Sequence, residues 1–136
     1  MEQKNNVKQI LTREKLNLEF NEEKKSITIA TPGNRKFILD DDGKKILVED
    51  SSGNKIEMSD SGIKVSSNKD ISFDTKGKFK VSAVGGIELS SKGDLKGEGL
   101  NVEFNGKIGF TGKGSAKAEV SASGQTVIKG AMVMIN

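Results

Sequence analysis

The chain has 136 residues, 30% of them charged, a formal net charge of +3, 16 glycines, one proline, 4% aromatics and neither cysteine nor histidine. That composition excludes disulfides, thiolate chemistry and imidazole-based zinc or iron sites, and it leaves few large side chains for a bulky globular core. Both signs of charge are interleaved and no Arg/Lys run alternates with aromatics, which describes a solvated face and not a nucleic-acid surface.

In chain order, Met1 to Arg13 is polar, with Val7, Ile10 and Leu11 spaced for one or two helical turns; residues 1–15 are expected to be a flexible lead-in. Leu16, Leu18 and Phe20 alternate, Asn21 to Lys25 is a charged turn, and Ile27 and Ile29 alternate again. Residues 16–35 therefore predict a hairpin or two successive wall strands, closed by the breaker Pro32-Gly33. A β-helical array is expected over 36–136. Its first rungs are long: Phe37 and Leu39 run to Asp41-Asp42-Gly43, Ile46 and Val48 to Ser52-Gly53-Asn54, and Ile56 and Met58 to Ser61-Gly62.

From Gly62 to Gly99 the spacing locks at eight. Ile63, Ile71, Phe79, Ile87 and Leu95 recur at that interval, with Val65, Phe73, Val81 and Leu89 two places later. Ser67, Thr75, Ala83, Ser91 and Gly99 follow, all small, and Gly77, Gly85 and Gly93 come next in phase. Period-two alternation marks a strand with one buried face, and the repeat makes each octad one short strand plus one corner. Five residues cover about 17 Å, one wall of a narrow prism. Either three octads of one chain make each rung of a monomeric solenoid, or three chains each supply one wall. The small third inward position, where three walls converge, favours the second. The predicted fold is all-β, an intertwined homotrimeric triple-stranded β-helix, with Ile63, Val65, Ile71, Phe73, Phe79, Val81, Ile87, Leu89 and Leu95 as its core. Beyond Leu95 the repeat is expected to loosen and narrow, ending on Met132 and Met134.

Two motifs invite chemistry. Asp40-Asp41-Asp42-Gly43 fails the EF-hand spacing, with Lys44 at position five and no Glu at position twelve, and is expected to be a turn. Gly112-Lys113-Gly114-Ser115 lacks the first glycine and the Ser/Thr after lysine of a phosphate loop, and is expected to be a corner. Ser, Lys and carboxylates are scattered at repeat spacing with nothing to bury them, so no catalytic residue, metal site or cofactor is expected. No apolar run approaches the ~20 residues of a membrane span and the sequence opens on no apolar signal segment, so export is expected to use another route.

The run from Ile27 to Val65, the octads after it and the closing Ala122 to Asn136 resemble the C-terminal needle of VgrG-type spike proteins of type VI secretion and related contractile injection systems. The resemblance covers about 110 residues, and those needles are similar to the central spikes of contractile phage tails. It implies a trimer on the tip of an inner tube, driven through a target membrane by sheath contraction and assembled in the bacterial cytoplasm or on a phage-like particle. It also implies a PAAR-repeat cap protein or an effector docked on Met132, Val133, Met134, Ile135 and Asn136. The hub that joins such needles to the tube protein has no counterpart in this sequence, which reads as an excised needle or a reduced homologue. The His ligands of iron-tipped phage spikes have none either, which favours a separate cap. The competing functional class is a fibre or adhesin module that recognises a surface glycan or receptor through outward residues such as Lys64, Lys80 and Glu88. A monomeric solenoid enzyme is a third reading, and it needs a cleft that even octads do not leave.

Overall fold

The computed structural model describes residues 6–135 and is all-β over that range, with no helix among the described residues. Seven five-residue strands form one antiparallel sheet in sequence order: β1 (Val7–Leu11), β2 (Asn17–Asn21), β3 (Ser26–Ala30), β4 (Lys36–Asp40), β5 (Lys45–Glu49), β6 (Lys55–Ser59) and β7 (Gly62–Ser66). The turns set this meander. Lys15, Lys25, Asn34 and Lys44 hold left-handed φ of 47 to 60°, and Gly53 and Gly62 hold 87° and 114°. One such residue every nine or ten positions reverses the chain at a constant interval.

β1 replaces the helical turns and flexible lead-in expected over 1–15. Its residues pair with β2 from Val7↔Asn21 to Leu11↔Asn17, because strand pairing satisfies a ladder that an isolated helical turn could not. Residues 1–5 lie outside the described residues. Leu16 belongs to the β1–β2 turn, so the alternation begins at Leu18. Position 36 marks no structural boundary either. β3 and β4 are neighbours in one sheet, and antiparallel pairing continues to β7, which carries Ile63 and Val65, the first pair of the octad repeat. Sequence spacings of nine and ten are the hairpin period of this sheet, not loose rungs of the octad array.

The Asp40–Gly43 motif is the β4–β5 turn: Asp40 Oδ1 accepts from Gly43 N at 2.8 Å and the Asp41 carbonyl accepts from Lys44 N at 3.1 Å. In the β5–β6 turn Asp50 Oδ1 accepts from Ser52 N at 2.8 Å and Asn54 N at 3.0 Å, while Oδ2 accepts from Asn54 Nδ2 at 2.9 Å. Ser67 Oγ donates to Asn54 Oδ1 at 2.6 Å and Asn68 Nδ2 donates to the Ser52 carbonyl at 3.3 Å. The β5–β6 turn and the first octad corner are thus tied together.

The chain divides into two compact units, Met1–Val81 and Ser82–Asn136. From Ser67 to Ile135 there is no in-chain ladder, and the backbone bends at regular places: 68/69, 76/77, 84/85, 92/93, 100/101, then 107/108, 115/116, 123/124 and 131. The octad period therefore does not loosen after Leu95. It takes one seven-residue step and resumes, with the inward phase moving from Leu95 to Val102 and Phe104 and on to Phe110, Ala118, Val120 and Ile128. Ser115 in the glycine-rich motif is at one of these bends, as expected of a corner.

At three of the four early corners the preceding small residue has a second duty, Ala83 being the exception. Ser67 Oγ accepts from Lys69 N at 3.0 Å, Thr75 Oγ1 from Gly77 N at 3.0 Å, and Ser91 Oγ from Gly93 N at 3.1 Å. Each hydroxyl closes its own corner by bonding two residues ahead. Glycine takes that place before every later corner except 123/124, where Ala122 stands, and a Cβ at Gly106 or Gly114 would overlap the carbonyl of Gly109 or Lys117.

Two outcomes are expected. Hydrogen bonds from the Asn54 side chain, then its backbone N–H, hold the Asp50 carboxyl below its ordinary pKa. That stabilisation is present above about pH 4, where unfolded Asp is also ionised, and is lost as pH falls through the folded value. Asp50→Ala is expected to flatten the acid limb of a pH-dependent denaturation profile relative to the native chain. Gly114→Ala is expected to destabilise by about 1–3 kcal/mol through backbone overlap, whereas Gly124→Ala, with open space around it, is expected to change stability by less than about 0.5 kcal/mol; thermal unfolding of the two variants checks both.

Candidate functional site: an uncovered apolar wall

Pairing in register aligns the apolar residues of the meander into two cross-strand rows on one face. One runs Ile10, Leu18, Ile29, Phe37, Val48, Ile56, Val65; the other runs Phe20, Ile27, Leu39, Ile46, Met58, Ile63. Neighbours in a row sit directly opposite each other and contribute through cross-strand contact. The rows extend from β2 to β7 without a polar interruption. Only at β1 does a charge enter, where Lys8 opposes Phe20.

Among the described residues of the meander, no other layer packs on this face. Phe20, Ile29, Phe37, Leu39, Val48, Ile56 and Met58 all remain at least 36% exposed. The buried hydrophobic residue among the described ones is Leu47, at 6%, and it lies on the opposite face, opposite Ile38 and Glu57 in register. On that face Lys55 and Glu57 pair at 2.9 Å. The Glu57 carboxyl is lowered and the Lys55 ammonium raised, chiefly by their mutual hydrogen bond. A sheet with one apolar face and one charged face is half of a layered structure.

The nine residues expected to form the trimer core continue this pattern. Ile63, Val65, Ile71, Phe73, Phe79, Val81, Ile87, Leu89 and Leu95 are 48 to 74% exposed in the single chain. Their mutual contacts are local: Phe73 stacks on Phe79 with ring centroids 5.8 Å apart across the 76/77 corner, and Phe104 on Phe110 at 6.3 Å across the 107/108 corner. The same spacing of six recurs at the same place relative to the bend. Sequence reasoning confined the core to the octads and missed the two rows in β2 to β6, although the alternation that builds them is visible there.

Met132, Val133, Met134 and Ile135, the residues expected to dock a cap, are all exposed, and Asn136 lies outside the described residues. No cluster of three carboxylates able to hold a metal occurs among the described residues.

A search of curated protein sequences returns no match. Residues 26–136 match the family model described as phage baseplate V C-terminal trimerisation domain. The match begins at Ser26, the first residue of β3, and takes in every strand from there, all octad corners and most of both apolar rows. The chain belongs to the phage baseplate V C-terminal trimerisation domain family, and its structural role is that of a homotrimeric, spike-type component of a phage-like baseplate.

Proposed function

We propose that three copies of this chain form the needle of a contractile injection machine, a membrane-puncturing spike that carries a PAAR-repeat cap or an effector on Met132–Ile135. The observation that carries the reading is the pair of uninterrupted apolar rows, followed by octads that each offer one wall. Support comes from the family match and from the resemblance to VgrG-type needles. In a three-walled prism of this kind each strand borrows its ladder partners from the other two chains, so axial load passes through backbone hydrogen bonds and not through loops.

The proposed working cycle is mechanical. A tube protein, joined through a hub domain, seats the trimer; sheath contraction drives it forward; the target membrane is contacted transiently. Export then depends on the machine and not on a signal peptide. No bond is made or broken in a substrate, and no cofactor takes part: the titratable groups sit on solvated walls and turns, where nothing tunes one of them toward an acid–base role. Nucleic acid has no part in the reading.

Two measurements test this. Native mass spectrometry is expected to give three times the 14.6 kDa chain mass, and Ile46→Asp, which places a charge in the middle of one row, is expected to shift the species to a single chain; a monomeric native protein would sink the proposal. In a reconstituted contractile particle, omission of this chain is expected to abolish delivery of a capped effector to target cells. Delivery that continues without it would remove the puncturing role while leaving the trimer intact.

A further inference from the structure

The bends fix which residues of the octad array point outward, because each strand alternates and the phase is set by the corner that follows it. Before the seven-residue step the outward residues are even-numbered, and after it they are odd-numbered. Eleven of the eighteen outward positions from Lys64 to Glu98 are charged, and five of the nine from Glu103 to Glu119. Of the eight from Ser121 to Ile135 only Lys129 is charged. The wall therefore changes character at residue 121. Val127, Val133 and Ile135 take outward places, all at least 50% exposed, with Ser121 and Gln125 at others.

A wall meant for solvent has no reason to shed its charges over its last two corners. Loss of charge with an apolar centre and an uncharged polar rim is the composition of a protein–protein contact. An acyl-chain phase is the poorer occupant, since it would leave Ser121, Gln125 and the neighbouring backbone groups without hydrogen-bond partners. The inward phase of the same stretch, through Ile128 and Met134, continues the trimer interior. Three copies would thus carry a belt of nine large outward apolar side chains, with Ala131 of each copy beside them.

We infer that the partner at this end is a protein with a socket, whose uncharged, apolar-centred inner rim encloses the side walls from about Ser121 to Ile135, rather than a plug seated on Met132–Ile135 alone. This rests on the capping role proposed above and deepens it. The socket reaches about two layers down the rod, roughly 10 Å.

The test is co-expression of the full chain with a PAAR-repeat protein from the same genome, followed by purification through the chain and quantification of the bound protein. The double variant Val127→Lys and Val133→Lys is compared with Thr111→Lys, which alters an outward position outside the belt. The expected result is at least a tenfold loss of bound PAAR-repeat protein for the belt variant and none for the control, with native mass confirming a trimer in both. Equal retention by both variants would overturn the socket and leave capping intact; no retention by the unaltered chain would overturn both. Flotation of the unaltered trimer with phosphatidylcholine vesicles, lost in the belt variant, would assign the belt to lipid and overturn the inference.

Discussion

The constraint on which everything else depends is an apolar face that the sheet bearing it leaves open. Among the described residues, the seven-stranded sheet sets thirteen apolar residues in two rows on one side, while its buried hydrophobic residue, Leu47, is on the other side. Hydrophobic stabilisation scales with area removed from water, at about 25 cal/mol per Å², so most of it is unrealised until other copies arrive. Association of three copies therefore adds to the stability of the domain, which depends on concentration to that extent.

The corners explain how a chain so poor in large residues holds a regular shape. In the first half, hydroxyls at Ser67, Thr75 and Ser91 bond the N–H two places ahead. In the second half, glycines at 106 and 114 let the following carbonyl approach where a Cβ would stand. Both devices occupy the position that sequence reasoning assigned to crowding at the axis. The residue is small there for the sake of the turn as well as for the interior.

Much of this was legible in the residues. Period-eight recurrence of Ile63, Ile71, Phe79, Ile87 and Leu95 predicted an all-β trimer, and the family match agrees with it. The antiparallel meander was harder to see, because Phe37 to Met58 alternates in the way any wall strand does, and spacings of nine and ten look like a relaxed octad. What separates the two is left-handed φ at Lys25 and Lys44; lysine gives no sign of that conformation in a sequence, whereas glycine would. β1 was illegible for a different reason. Val7, Ile10 and Leu11 fall on both faces of the strand, so neither helical nor strand periodicity is clean, and the partner strand decides.

The hairpin turns of the meander lie alternately on its two flanks, and the flanks are fastened differently. On one, Lys25–Asp42 at 3.7 Å and Lys44–Asp60 at 3.6 Å link successive reversals by exposed ion pairs, and Lys8 of β1 pairs with Glu22 at 2.8 Å. On the other, Asp50, Asn54, Ser67 and Asn68 use directional hydrogen bonds. Exposed ion pairs weaken as salt screens them, and short hydrogen bonds do so far less. Brine would consequently weaken the ion pairs on one flank more than the hydrogen bonds on the other, while the ladders between strands hold both.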